Sequence, residues 1–299
     1  MRTALKHAFY SAQRRIARIR VNLNPPAPGP QTKLPILALH TIAEAHSDMA
    51  VSEPHLRAQL TGLLQSGYRC LNLSEALQAL SAGQPLSQPA FCLTFDDGYR
   101  TLYDAGLKIL EDLNLTATVF VTVNFIENRV RPPWHSRDAG LLREYSTYAA
   151  QFQPLTWPQL RELNATKRVH IGSHSLNHYM TGNLPDPDLQ AEIRDSKSAL
   201  EDRLGIEVPY FAYPYGVRRY GAYSNRSEAA VREAGYQCSC TSEIGRAAFG
   251  AGTWLLPRIP LVDADTALDA RAKVAGAYDW VAVAQRSFQS IFPNPHNPE

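Results

Sequence analysis

At 299 residues with 44% hydrophobic content, the chain can bury one large core or two small ones without disulfide or metal staples. A net charge of +2 and the lack of any long Lys/Arg block interleaved with aromatics exclude an obvious nucleic-acid partner. No apolar run reaches the roughly 18 residues that a membrane-spanning helix needs.

The first segment is basic and free of acids. Leu5, Phe9, Ala12, Ile16, Ile19 and Leu23 recur at helical spacing, while Arg2, Lys6, Arg14, Arg15, Arg18 and Arg20 fill much of the rest. It lacks the continuous apolar core of a secretory signal. The pattern suits a helix lying on an anionic membrane surface through residues 1–24. A solvated basic helix, a disordered leader and an organelle transit peptide are alternatives. Asn24-Pro25-Pro26-Ala27-Pro28-Gly29-Pro30 cannot continue a helix and reads as a stiff linker. Residues 1–32 are thus expected to be helix and linker, 33–290 a catalytic domain, and 291–299 a disordered tail. The expected location is the cytoplasm, with peripheral contact at the inner membrane face as the variant.

From Lys33 onward, apolar strand-like runs alternate with helical patterns. In chain order they are LPILALH (34–40), a helix opening at Ser52-Glu53-Pro54, CLNL (70–73), SEALQAL, AFCLTF (90–95) and a helix over Tyr99 to Leu113. TATVFVTV (116–123) follows, then a long insertion from Phe125 to Pro154, a helix from Thr156 to Asn164, RVHIGS (168–173) and a helix over Asp186 to Leu204. The last are YFAY (210–213), a helix over Ser227 to Ala234, YQCSCT (236–241), WLLPRIP (254–260), and a helix from about Ala264 to Phe288. Such alternation predicts a parallel sheet covered by helices. About seven strand–helix units are enough to close a barrel, whose chemistry sits at the C-terminal strand ends. The insertion is longer than a routine connection and is placed to cover a site. Cys92 reads as a core thiol, and Cys70, Cys238 and Cys240 show neither zinc-ribbon spacing nor an unstrained local disulfide.

Three strand ends carry chemistry-bearing residues. Asp96 and Asp97 follow AFCLTF, His174 and His178 follow RVHIGS, and Pro214-Tyr215-Gly216 follows YFAY. Two adjacent carboxylates resist joint ionisation unless a cation relieves them. Histidines at i and i+4 can project from one side of a helical turn to a common point, and two imidazoles plus a carboxylate make a three-ligand divalent site with a position open for water. The second carboxylate is then free to act as general base. Taken singly, Asp97-Gly98 also reads as the N-terminal cap of the next helix.

With TFDDG and HSLNH both present, the sequence resembles the polysaccharide deacetylases of the NodB-homology type over roughly residues 34–262. The resemblance implies a distorted (β/α) barrel of about seven strands. By the same resemblance Asp96 is the catalytic base, and Asp97, His174 and His178 are ligands of a divalent ion, Zn2+ for preference. It implies hydrolysis of the acetamide of an N-acetylated polysaccharide or oligosaccharide, and the basic N-terminal segment adds a lipid-linked glycan to the expected partners. The family's FRPPYG-like third motif stands here as Phe211-Ala212-Tyr213-Pro214-Tyr215-Gly216. The PYG turn is kept, and a backbone amide near Tyr215 is expected to face the oxyanion. Ala212 replaces the motif arginine, so Arg258 in LPRIP is expected to supply that cation, with a structural arginine as the alternative. The late LxH histidine is missing. His40, ending the first strand beside the last one in a closed barrel, is expected to be the general acid, or else a hydrogen-bonded strand-end histidine. Tyr99, Tyr179, Tyr213, Tyr215 and Trp254 are candidates for stacking on sugar rings or for core packing. Two other functions remain open: an O-acetyl esterase or deformylase on a lipid- or nucleotide-linked sugar, and a glycan-binding barrel without catalysis.

Overall fold

The computed structural model describes residues 31–44, 49–128 and 149–280. The expected basic helix and linker, most of the 125–154 insertion and the C-terminal tail lie outside the described residues.

Eight parallel strands carry the fold: β1 (Ile36–Leu39), β2 (Arg69–Leu71), β3 (Ala90–Phe95), β4 (Ala117–Val121), β5 (Val169–Ser173), β6 (Tyr210–Ala212), β7 (Cys238–Ile244) and β8 (Leu256–Pro260). Seven close into a ring in the order β1-β3-β4-β5-β6-β7-β8, with β8 returning to pair with β1. The eighth, β2, explains the distortion. It pairs with the first half of β3 through Arg69, Cys70 and Leu71, whereas β4 pairs only with Thr94 and Phe95 in the second half. One edge of β3 is thus divided between two strands.

Period-2 alternation sorts the strand residues. Phe91, Leu93 and Phe95 of β3 join the large cluster under the helices, while Ala90 and Cys92 join a second cluster with Ile36, Phe120, Ala212, Cys238, Cys240 and Leu256. The second cluster fills the barrel interior and is closed at the N-terminal end by α2 (Leu73–Ala82). Helix α1 (Glu53–Gln65), on the outside, packs against the last helix, Ala267–Val274. Phe120 takes much of the interior. It can do so because Gly172 faces it: a Cβ there would lie 2.6 Å from the Phe120 ring.

The outer helices start where their caps dictate. α3 is Leu107–Asp112, α4 is Trp157–Ala165, and α5 (Asp186–Gln190) and α6 (Ser196–Leu204) are followed by α7 (Asn225–Glu233) and α8 (Ala267–Val274). Capping boxes open α2 (Asn72 with Glu75), α4 (Thr156 with Gln159), α7 (Ser224 with Ser227) and α8 (Thr266 with Asp269). Two helices expected to be regular contain π turns instead, Leu102–Gly106 before α3 and Ala191–Asp195 between α5 and α6. The expected last helix is interrupted: α8 ends at Val274, Gly276 at φ 93° turns the chain, and helix resumes at 279–280. Residues 281–288 of the expected range lie outside the described residues.

Candidate active site

Strand parity puts the site together. Ala90, Cys92, Thr94 and Asp96 alternate toward the interior, so Asp96 emerges at the C-terminal mouth of the barrel. On the same rule Asp97 would face away. A tight turn corrects this: Gly98 N–H donates to the Asp96 carbonyl at 2.9 Å, and Asp97 between them takes φ 69°. This three-residue turn swings the second carboxylate to the mouth as well, at a backbone cost of about 1–3 kcal/mol. It also rules out Asp97 as a helix cap, since the next helical segment begins only at Leu102.

The histidines reach the site differently from the sequence expectation. Residues 174–178 form a loop rather than a helical turn, with Ser175 at φ 69° and His178 at φ 63°. A helix would carry both imidazoles on its outside, whereas this loop folds them inward. His174 N–H extends the strand pairing by donating to Val121 O at 2.8 Å, and His178 N–H donates to Ser175 Oγ at 3.0 Å.

The result is a compact donor set. Nε2 of His178 and of His174 lie 3.2 and 3.5 Å from Asp97 Oδ1. Ligand atoms of Asp97, His174 and His178 all fall within 4.8 Å of one another, and all three residues are buried. His174 Nδ1 sits 2.8 Å from the Ala212 carbonyl, which fixes the proton there and leaves Nε2 as the free donor. Burial lowers the His174 pKa to about 4, keeping the ring neutral near pH 7. Burial alone would raise the Asp97 carboxyl, but the His178, His40 and His174 rings hold it well below the usual carboxylate range. Neither Asp97 oxygen accepts a hydrogen bond, although both are buried. A buried carboxylate without donors, facing two imidazole nitrogens, fits a divalent cation, and a two-nitrogen, one-oxygen set suits Zn2+.

Asp96 is held quite differently. Arg258 reaches inward from β8 and grips it with two bonds, 2.6 Å to Oδ1 and 2.7 Å to Oδ2. The guanidinium is 1% exposed. It is steadied by the Thr241 carbonyl at 2.8 Å, by Thr94 Oγ at 3.2 Å, and by the Phe120 ring 5.5 Å away. Burial disfavours ionised Asp96, yet Arg258, with smaller help from His174 and His40, keeps its pKa below the ordinary 3.8. Arg258 is therefore neither a surface residue nor distant from the aspartates.

Two further expected residues stand at the same mouth. His40 follows β1, half-buried, beside the point where Asp96 N–H donates to Leu39 O at 2.8 Å. Tyr215 lies at the centre of another tight turn, with φ 59° and Gly216 N–H donating to Pro214 O at 2.7 Å. Its ring meets His178 edge-on at 4.8 Å. The remaining aromatics divide. Tyr99 and Tyr213 are core, Trp254 lies half-buried under Arg232, and Tyr179 is 49% exposed on the loop leaving His178. Sequence reasoning missed Thr94, Asn124, Asn177 and Glu192. Thr94 was legible from strand parity with Asp96, but nothing in the sequence linked Glu192 to a loop 14 residues earlier.

The fold is a parallel barrel with a buried carboxylate–imidazole cluster at its mouth, and comparison with known proteins gives the family. A polysaccharide deacetylase family model matches residues 83–239, so the chain belongs to the polysaccharide deacetylase family. YxkH of Bacillus subtilis (strain 168), named as a polysaccharide deacetylase, is 26% identical over 227 residues, covering 76% of this chain and 71% of that protein. The poly-beta-1,6-N-acetyl-D-glucosamine N-deacetylase of Escherichia coli (strain K12) is 28% identical over 156 residues, 51% of this chain but only 22% of the relative. Among solved structures, IcaB from Ammonifex degensii superposes with a TM-score of 0.66 at 22% identity, covering 83% of this chain and 97% of that one. The Streptococcus pyogenes deacetylase PplD gives 0.65 at 23% identity, over 81% and 97%. These two carry the fold assignment beyond the matched segment.

Proposed function

We propose that this chain is a metal-dependent hydrolase that removes the acetyl group from the N-acetyl amide of a glycan. The observation that carries this reading is the pairing of one buried carboxylate without hydrogen-bond donors, Asp97 between two imidazoles, with a second held ionised by Arg258. Asp97, His174 and His178 would hold a divalent cation, Zn2+ by their donor chemistry, which supplies polarisation of the acetyl carbonyl and a lower proton affinity for the attacking water.

The chain's own groups do the rest. Asp96 accepts the proton of the attacking water; its oxygens keep lone pairs beyond the two taken by Arg258. The backbone amide at the Tyr215 turn faces the developing oxyanion. His40 gives a proton to the departing nitrogen, so that one amide and one water become acetate and a free amine. An N-acetylated polysaccharide is the proposed substrate, in line with the named activity of the Escherichia coli relative. Tyr179, exposed beside His178, offers a ring for a neighbouring sugar. No described helix is long and apolar enough to cross a membrane. Membrane contact through residues 1–24 is proposed from sequence alone, and co-sedimentation with anionic vesicles tests it.

Acetate release from N-acetylglucosamine oligomers by zinc-loaded protein tests the activity. It should disappear with chelator, and kcat should fall by about 10²–10⁴-fold in Asp96→Asn. Release from O-acetylated but not N-acetylated glycans would instead establish an esterase.

A further inference from the structure

The loop that carries both histidines is clamped by a residue outside every sequence motif. Glu192 belongs to the π turn Ala191–Asp195 and is 2% exposed. Its carboxylate accepts the Asn177 backbone N–H at Oε2 (2.9 Å) and the Asn177 side-chain amide at Oε1 (2.7 Å). Its main-chain carbonyl accepts the Leu176 N–H at 3.1 Å. One residue thus holds three donors from the two positions immediately before His178. The other side of the loop is closed as well. Asn124 Nδ2 donates to Asn177 Oδ1 at 2.7 Å, and the Val123 and Asn124 N–H groups donate to the Ser175 and Leu176 carbonyls at 3.2 and 2.9 Å.

The π turn itself is fixed from behind. Ser196 Oγ bonds to Ser173 Oγ at 2.8 Å and to the Ile193 carbonyl at 2.9 Å, and Tyr236 donates to the Ile193 carbonyl at 3.1 Å. A π bulge admits an extra residue into a helix and frequently marks a functional position. Here it brings the carbonyl and the carboxylate of the same residue onto one loop.

From this geometry we infer that Glu192 is a positioning residue for the cation site: through Asn177 it holds His178 in its left-handed conformation and so presets the alignment of the two imidazoles with Asp97. The inference rests on the metal-site reading above. Both carboxylate oxygens take part in the clamp. A carboxylate accepts at both oxygens, whereas a glutamine in its place would turn an amide group toward one of the two donors.

Co2+ titration followed by visible absorption tests this without using activity. Wild type should bind with a spectrum of low-coordinate cobalt; failure of wild type to bind would remove the metal-site reading itself. Glu192→Gln should bind about 10–100-fold more weakly, the loss typical of outer-shell partners of metal ligands. The double variant Asn177→Asp/Glu192→Gln exchanges donor and acceptor, leaving each bond and the net charge in place, and should recover most of the lost affinity. Wild-type affinity and spectrum in Glu192→Gln would overturn the inference, as would a folded double variant that binds no better than the single one. Should Glu192→Gln fail to fold, the double variant decides alone: near-wild-type affinity supports the clamp, and weak binding overturns it.

Discussion

Asp96 and Asp97 are neighbours in sequence and alike in chemistry, yet their surroundings make them different reagents. Asp97 meets two imidazole nitrogens and no hydrogen-bond donor, while Asp96 meets a two-pronged guanidinium. Replacing Arg258 with Met should therefore leave cation affinity nearly unchanged and lower kcat. It also leaves a buried carboxylate unpaired, at a cost of about 3–5 kcal/mol, which thermal or urea unfolding would read. The sign of the pH effect is fixed: Arg258 lowers the Asp96 pKa, so its loss must raise it. The acid limb of kcat/KM should move to higher pH. His40→Ala, by contrast, removes a half-buried strand-end side chain and should lower kcat by about 10²-fold or more while leaving cation affinity intact. A kcat equal to wild type would remove His40 from the reaction.

At the scale of elements, the strands position the site by parity and the turns break parity where the site needs it. Asp97 and Tyr215 each occupy the centre of a three-residue turn at positive φ, and each follows a barrel strand. Ser175 and His178 add two more left-handed residues on a third strand end. Such conformations persist only where surrounding bonds over-determine them. Packing between strands sets a further limit. Phe120 of β4 crowds Gly172 of β5, so a methyl group at Gly172 must displace a ring that itself lies under Arg258. Gly172→Ala should cost about 1–3 kcal/mol and lower activity in parallel, checked by unfolding midpoints and turnover.

For the whole molecule, the closed ring places three reduced cysteines, Cys92, Cys238 and Cys240, in its interior, while Cys70 packs against the cluster under the helices. Burial raises Cys70 from an ordinary 9.0 to about 11, and pushes Cys92 and Cys238 well above their usual value. In the unfolded chain the thiols of Cys70, Cys92 and Cys238 ionise near pH 9, while in the folded chain these three stay neutral there. Their contribution to stability is therefore complete below about pH 9 and declines as pH rises toward 11, a trend that urea midpoints across this range would show. Native alkylation at pH 8 should be slow for the same reason.

The sequence by itself determined the alternation of strands and helices, hence a parallel barrel, and it determined which residue types stand at the strand ends, because period-2 patterning and strand termini are local properties. TFDDG and HSLNH were legible for that reason. The helical reading of HSLNH was not correct, since the loop conformation is imposed by Glu192 and by residues 123 and 124, none of them local to the motif. Only the tertiary structure decided that Arg258 meets Asp96 162 positions away, that β2 divides an edge of β3, and that a π turn holds the histidine loop. Those facts depend on ring closure and on side chains meeting across it. No window of sequence contains both partners.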